Sequence, residues 1–69
     1  MINWKNKNIQ RFRYKTLIVE KGKYKGVEVL KYEIHSDKIL ECIYTIKNTT
    51  LAFQTTRDLI ETIDNEFGR

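Results

Sequence analysis

The 69-residue sequence lacks the disulfides and structural metal sites that stabilise many small proteins in addition to their hydrophobic core. Its one cysteine, Cys42, cannot form an intrachain disulfide. Cys42 and the one histidine, His35, fall short of the four ligands that a structural zinc site requires. A domain of this length buries only about 60% of the surface of its unfolded chain. We therefore expect modest stability, about 3–5 kcal/mol, that depends on core packing or on self-association.

Proline, long hydrophobic runs and internal repeats are also missing. The longest aliphatic run, Leu17-Ile18-Val19, is far too short to span a bilayer. The first residues contain no apolar stretch typical of a signal peptide. We therefore expect a cytoplasmic protein with a reduced thiol that contacts no membrane. The sequence predicts one small domain over 12–69, preceded by a basic N-terminal arm over 1–11 that has no clear periodicity and could be flexible.

The C-terminal segment, by contrast, has a clear amphipathic pattern. Its apolar positions form one stripe with a 3.6-residue period, namely Leu59, Ile60, Ile63 and Phe67. Thr55 is a suitable N-cap, and Gly68 stands where a C′ glycine ends a helix. The sequence therefore predicts one helix over 55–67. A helix this short is marginal alone in water, so it requires a surface to pack against.

The rest of the chain alternates apolar and polar residues in the manner of β-strands. The predicted strands are 12–20, 27–35, 38–47 and 49–53, with turns at 21–26, 36–37 and 48. Short connections favour antiparallel neighbours. The predicted fold class is α+β, an antiparallel meander of three to four strands with one C-terminal amphipathic helix packed on one face.

Both faces of this predicted sheet carry apolar residues, although one helix can cover only one of them. In the second predicted strand, Leu30, Tyr32 and Ile34 share one face, and Val29 lies on the other. Three occupants could cover the second face: the N-terminal arm, a second copy of the chain in a homodimer, or another partner. A β-bulge that switches sides within the second strand is the alternative.

Charge is distributed unevenly along the chain. Residues 1–25 contain eight cations and one carboxylate, a net charge of +7, whereas 26–69 contain five cations and eight carboxylates, a net charge of −3. A basic half indicates an anionic partner. The predicted nucleic-acid-binding residues are the cations and aromatics of this half: Lys5, Lys7, Arg11, Arg13, Lys15, Lys21, Lys23, Lys25, Trp4, Tyr14 and Tyr24.

Two interpretations of this basic half remain open. Cations can neutralise phosphates while aromatic rings stack on unpaired bases of DNA or RNA. Alternatively, the lysines only protect a sheet edge from aggregation, and Trp4 packs back on the domain instead of touching a partner. A protein-interaction or inhibitor module from a phage, plasmid or other mobile element is the second functional hypothesis. The chain is rich in Lys, Ile and Asn, whose codons are AT-rich, and this composition indicates an AT-rich source genome but no function.

The sequence contains no recognisable catalytic or cofactor-binding pattern. His35 has no Ser or Cys partner at a recognisable spacing, and Cys42 falls in the apolar phase of a predicted strand. The segment 21–26 lacks the Gly-Lys-Ser/Thr ending of a phosphate loop. We therefore expect a non-enzymatic binding domain without a cofactor or metal ion.

The order of strands before a helix, with Tyr24-Lys-Gly-Val27 opening a strand and 51–64 closing the domain, is similar in layout to several DNA-binding domains. It resembles the arm-type domains of phage integrases and the sheet-reading domains of some plant transcription factors. It is also similar to four-strand, one-helix binders of single-stranded DNA, which dimerise. These likenesses of layout assign no family, and they imply a nucleic-acid partner.

Overall fold

The computed structural model describes residues 2–67. Five antiparallel strands form one sheet in chain order: β1 (Lys5–Arg11), β2 (Lys15–Tyr24), β3 (Val27–Ser36), β4 (Leu40–Ile46) and β5 (Ala52–Phe53). The helix α1 (Thr56–Thr62) follows and continues as a π-helical turn, Ile63–Phe67. The predicted α+β meander with one C-terminal helix is confirmed, and its strands number five.

β1 lies in the segment that the sequence presents as an irregular arm. It pairs with β2, and its register shifts between Lys5 and Asn8, where Asn6 adopts a φ of 55°. All seven residues of β1 are exposed. Because this edge strand is held by backbone hydrogen bonds and buries no side chain, it has no alternating hydrophobic pattern by which the sequence could reveal it.

β2 and β3 form a long hairpin that ends in a two-residue turn. Tyr24 and Val27 are its last pair, and Lys25 and Gly26 have φ values of 51° and 79°. Positive φ at both central residues is what a type I′ turn requires, and that turn matches the twist of the flanking strands. The predicted turn over 21–26 was therefore too long, because its first four residues belong to β2.

α1 packs against one face of the sheet, which we call the helix face. Thr55 is confirmed as the N-cap, since its Oγ1 accepts a hydrogen bond from the Asp58 N–H at 3.2 Å. Four side chains form the fully buried core: Val29, Ile46, Leu59 and Ile63. Ile60 is half-buried. The Phe67 side chain and Gly68 lie outside the described residues, and no helix in 2–67 is long and apolar enough to cross a membrane.

The N-terminal residues cover the helix face as well. Ile2 and Trp4 pack against the buried core, and the Trp4 ring lies 5.9 Å from the Tyr44 ring between centroids. Gly22 permits this close approach, because a Cβ there would come within 2.6 Å of Ile2 Cγ2 and 3.0 Å of Trp4 Cε3. Trp4 therefore packs back on the domain.

The opposite face, which we call the open face, carries a patch of six half-buried apolar side chains: Leu17, Val19, Leu30, Tyr32, Ile34 and Ile43. Val19, Tyr32 and Ile43 form one row across the three central strands. The β2–β3 and β3–β4 registers run without a shift, so the bulge considered within the second strand is absent from these ladders. Within residues 2–67, α1, Ile2 and Trp4 pack on the helix face and not on the open face.

The sheet extends well beyond the helix that covers it. The molecule measures 43 × 21 × 21 Å, and its radius of gyration is 12.8 Å. A compact domain of this length has a radius of gyration of about 11 Å. Within residues 2–67, the side chains that cover the helix face pack around Val29, Ile46 and Gly22, near one end of the elongated sheet.

The two outer edges of the sheet differ in chemistry. The β1 edge carries three cations and the register shift, which together discourage another strand from pairing. At the other edge, β5 pairs with β4 only at Tyr44 and Thr45. The residues of β4 before Tyr44 have no outer neighbour within the described chain. Leu40, the first residue of β4, is 67% exposed, and Ile39 just before it is 54% exposed.

Candidate nucleic-acid interface

A concavity of about 610 Å³ lies where the start of β1 meets the second half of β2. We call it the lysine concavity because four lysines line it: Lys5, Lys21, Lys23 and Lys47. Asn3 and Asn6 add polar side chains, and Glu28 is the one carboxylate among its lining residues. Its lining charge is therefore +3.

Strand register brings these lysines together. Lys21 and Lys23 alternate along β2, so their side chains lie on the same face of the sheet. Lys5 of β1 is the direct partner of Lys21, and Lys23 is the direct partner of Glu28. Lys47 follows β4, and its N–H donates to the Glu28 carbonyl oxygen at 3.0 Å.

Glu28 does not neutralise the lysine concavity. Its carboxylate lies 3.0 Å from Lys47 Nζ, and both side chains are about half exposed. The hydrogen bond from Lys47 lowers the pKa of Glu28 below its ordinary value, and the charges of Lys23 and Lys21 lower it further. Glu28 thus stays ionised and pairs with one lysine, which leaves three cations for an anionic ligand.

Two of the predicted site residues have structural contacts instead. Lys25 Nζ lies 2.6 Å from Asp64 Oδ1, which ties the β2–β3 turn to the end of the helix. The hydrogen bond between them raises the pKa of Lys25 and lowers that of Asp64. The Tyr24 hydroxyl donates to Asp64 Oδ2 at 3.5 Å, and Tyr24 packs against the core. With Trp4 in the core as well, neither of these two rings is in the lysine concavity.

Other predicted residues lie at the far end of β2, around the β1–β2 turn. A smaller concavity of about 270 Å³ there is lined by Phe12, Arg13, Tyr14 and Lys15, and its lining also includes one carboxylate, Asp37. Tyr14 is 76% exposed, and the Arg13 guanidinium lies 5.5 Å from its ring centroid. Lys15 Nζ lies 5.7 Å from the centroid of the Phe12 ring. Lys15 and Lys21 are six positions apart along the extended strand, a distance of about 20 Å.

The two remaining predicted cations lie on the exposed β1 edge. Lys7 is in the segment where the register shifts, and Arg11 pairs with Thr16. The structure therefore brings three of the eleven predicted residues, Lys5, Lys21 and Lys23, into one concavity and divides the rest among the core, the turns and the edge.

The residues predicted from the sequence do not include Lys47, which lines the lysine concavity, or Tyr32, which lies on the open face. Lys47 belongs to the acidic half of the chain, and only the β3–β4 register brings it beside Glu28. Tyr32 lies at the centre of the open face, although its alternation with Leu30 and Ile34 was visible in the sequence. Neither residue belongs to the basic half of the chain, from which the site was predicted.

A second group of charged side chains lies on the helix face beyond the core. Lys31 Nζ is 3.8 Å from Glu20 and 3.6 Å from Glu33, and it lies 5.8 Å from the centroid of the Trp4 ring. His35 Nε2 is 3.5 Å from Glu33 but makes no hydrogen bond with it. Within residues 2–67, no group of three or more His, Cys, Asp or Glu side chains is arranged to hold a metal ion. These side chains pair mainly with each other.

Tyr44 and Cys42 neighbour this group on β4. A hydrogen bond to Cys42 and, secondarily, burial raise the pKa of Tyr44 to about 12. The surroundings of Tyr44 on the helix face thus stabilise its neutral phenol relative to the phenolate.

The chain matches no family model, no curated protein and no solved structure.

Proposed function

We propose that this protein binds nucleic acid, with phosphate groups held at the lysine concavity. The observation that supports this proposal is the convergence of Lys5, Lys21, Lys23 and Lys47 around one concavity that contains a single carboxylate. Ammonium groups bind phosphates as point charges, and release of counterions from the nucleic acid then drives association. Lys15 and Arg13 extend the positive charge to the other end of β2.

A salt titration tests the proposal. Labelled oligonucleotides, single-stranded and duplex, are titrated with the protein at several salt concentrations while fluorescence anisotropy is recorded. The three lysines that Glu28 does not neutralise predict that log K falls with log salt at a slope of about −3 for duplex and about −2 for single strands. Absence of binding at low salt to every oligonucleotide would disprove the function.

A charge-matched pair of variants locates the site. Lys21→Gln/Lys23→Gln removes two cations from the lysine concavity and is expected to reduce the slope by about 1.5. Lys38→Gln/Arg57→Gln removes the same charge from exposed positions outside it. Equal effects of the two double variants would mean that net charge, and not the lysine concavity, governs binding.

A protein-interaction module is the second candidate, and the open face is the observation that favours it. Six apolar side chains form one continuous patch there, and such patches often mark protein interfaces. An experiment on the purified protein alone can test one case of this candidate function, namely self-association. Sedimentation equilibrium would then give a dimer that Lys21→Glu/Lys23→Glu weakens less than it weakens oligonucleotide binding, because Lys21 borders the patch only at Leu30 and Lys23 pairs with Glu28 outside it.

A further inference from the structure

We propose that the nucleic acid is single-stranded, and that its unpaired bases lie on the open face while its phosphates contact the lysine concavity and Lys15. This inference rests on the proposed function and adds the class of nucleic acid and the surface that selects it. Tyr32 is the residue that we infer stacks against a base.

Tyr32 lies at the centre of the open face. Its direct cross-strand partners are Val19 on one side and Ile43 on the other. Leu30 and Ile34 lie two residues before and after it along β3, on the same face. Tyr32 is half-buried, so part of its side chain is covered by the protein and part is open to a ligand. An aromatic ring surrounded by aliphatic side chains can stack on the flat, weakly polar face of a base.

The cations lie at both ends of this apolar patch. Along β2, Lys15 precedes the apolar Leu17 and Val19, and Lys21 and Lys23 follow them, with these five residues on one face. A ligand that follows β2 therefore meets positive charge, then an apolar surface, then positive charge again. This order matches a single strand, in which a charged backbone carries bases that are free to turn toward the sheet.

A duplex does not match the same surface. Its bases are stacked on each other, and its outer surface presents phosphates and polar groove edges. Contact with the open face would cover six apolar side chains with charged backbone, which desolvates phosphates without pairing them. On the β1 side of the patch, Asn8 and Gln10 pair with Val19 and Leu17 and supply amides that can hydrogen-bond to exposed base edges.

The test compares single-stranded and duplex oligonucleotides of equal length and two variants at one position. Tyr32→Leu keeps an apolar side chain but removes the ring, and Tyr32→Phe keeps the ring. Stacking on one base is worth about 1–3 kcal/mol, which corresponds to a loss of about 5- to 150-fold in affinity for Tyr32→Leu. Tyr32→Phe is expected to change affinity by less than about three-fold, and wild-type protein to bind the single strand at least about ten-fold more tightly than the duplex.

Crosslinking of the unmodified protein keeps the test independent of how the variants fold. A single-stranded oligonucleotide containing 4-thiothymidine is irradiated with the protein, and the adducts are mapped by mass spectrometry. We expect adducts at Tyr32 or its neighbours on the open face. Circular dichroism verifies that Tyr32→Leu retains the wild-type spectrum before its affinity is interpreted.

Each outcome separates this inference from the proposed function. Equal affinity for duplex and single strand, with adducts only at lysines, would overturn the single-strand inference and leave nucleic-acid binding intact. Absence of binding to every oligonucleotide would overturn both. A dimer that an excess of oligonucleotide does not dissociate, together with no adduct on the open face, would make that face an interface between copies of the chain and would also overturn the inference.

Discussion

Lys5 and Lys21 are direct partners in the β1–β2 ladder, and both line the lysine concavity. Like charges directly opposite each other weaken an antiparallel pair, typically by about 0.2–1 kcal/mol. Lys23, two residues further along β2, lies opposite a carboxylate instead. The Lys5–Lys21 pair is therefore a local cost to folding that a bound anion would relieve.

Replacing one lysine of this pair should make the free protein more stable. We expect Lys5→Gln to raise the free energy of unfolding by up to about 1 kcal/mol, because it removes the repulsion with Lys21. The same change should weaken oligonucleotide binding. Urea denaturation measures the first effect and anisotropy the second. Lys7→Gln, on the same exposed strand but outside the lining of the lysine concavity, is the control; a loss of stability in Lys5→Gln alone would contradict the argument.

Gly22→Ala should displace the N-terminal residues from the helix face. The new Cβ would lie 2.6 Å from Ile2 Cγ2, so Ile2 or the strand must move. Overpacking of this kind typically costs about 1–3 kcal/mol. The fluorescence of Trp4 should shift to longer wavelength as its ring becomes more exposed. Because Ile2 is the nearest obstacle, adding Ile2→Ala to the Gly22→Ala variant should restore part of the lost stability; strict additivity of the two changes would refute this explanation.

The helix depends on Leu59 more than on its neighbour in the same stripe. Leu59 is 0% exposed and is one of four fully buried core side chains among the described residues. Leu59→Ala is expected to cost about 2–5 kcal/mol, enough to unfold a domain of modest stability. Ile60→Ala, at a half-buried position, should cost less. Thermal denaturation followed by circular dichroism compares them, and equal losses would show that the buried core is larger than these four side chains.

Alkaline pH should reveal the contact between Tyr44 and Cys42. The pKa of Tyr44 is raised to about 12 in the folded protein, compared with about 10 in an unfolded chain. A raised pKa means that this contribution to stability is fully present below about pH 10 and is lost as the pH rises through about 12. Absorbance at 295 nm should show a phenolate step near pH 12 that disappears in Tyr44→Phe.

Two further variants test the origin of that step. Cys42→Ala should move it toward pH 10, because the hydrogen bond to Cys42 is the largest cause of the raised pKa. Tyr14→Phe, at an exposed position on another strand, should leave the step unchanged. A step unaffected by Cys42→Ala would assign the raised pKa to burial and to the nearby carboxylates of Glu33 and Glu20.

Local patterns were sufficient to predict the helix and the central strands. Thr55, Leu59 and Ile63 have the capping and periodic positions that the structure confirms. β1 could not be predicted in the same way, because an exposed edge strand needs no burial pattern. Gly22 was interpreted as part of a turn, whereas it serves the close approach of Ile2 and Trp4. A glycine alone does not distinguish a turn from such a contact.

The candidate site could be predicted in composition but not in arrangement. The excess of cations in residues 1–25 was evident, and three of them do converge. Strand register determines which lysines converge. It pairs Lys21 with Lys5, and it places Lys47, which follows β4, beside Glu28. Register is set by contacts between distant residues, and no local pattern encodes it for an exposed strand.

The unequal edges of the sheet limit how large an assembly can grow by strand addition. The outer side of β4 before Tyr44 can accept one further strand, and the exposed Ile39 and Leu40 favour such a contact. The cations and register shift of β1 discourage the same contact at the opposite edge. Two copies joined through β4 would therefore present guarded edges on both outer sides, and assembly by this route would end at a pair instead of continuing into a fibre.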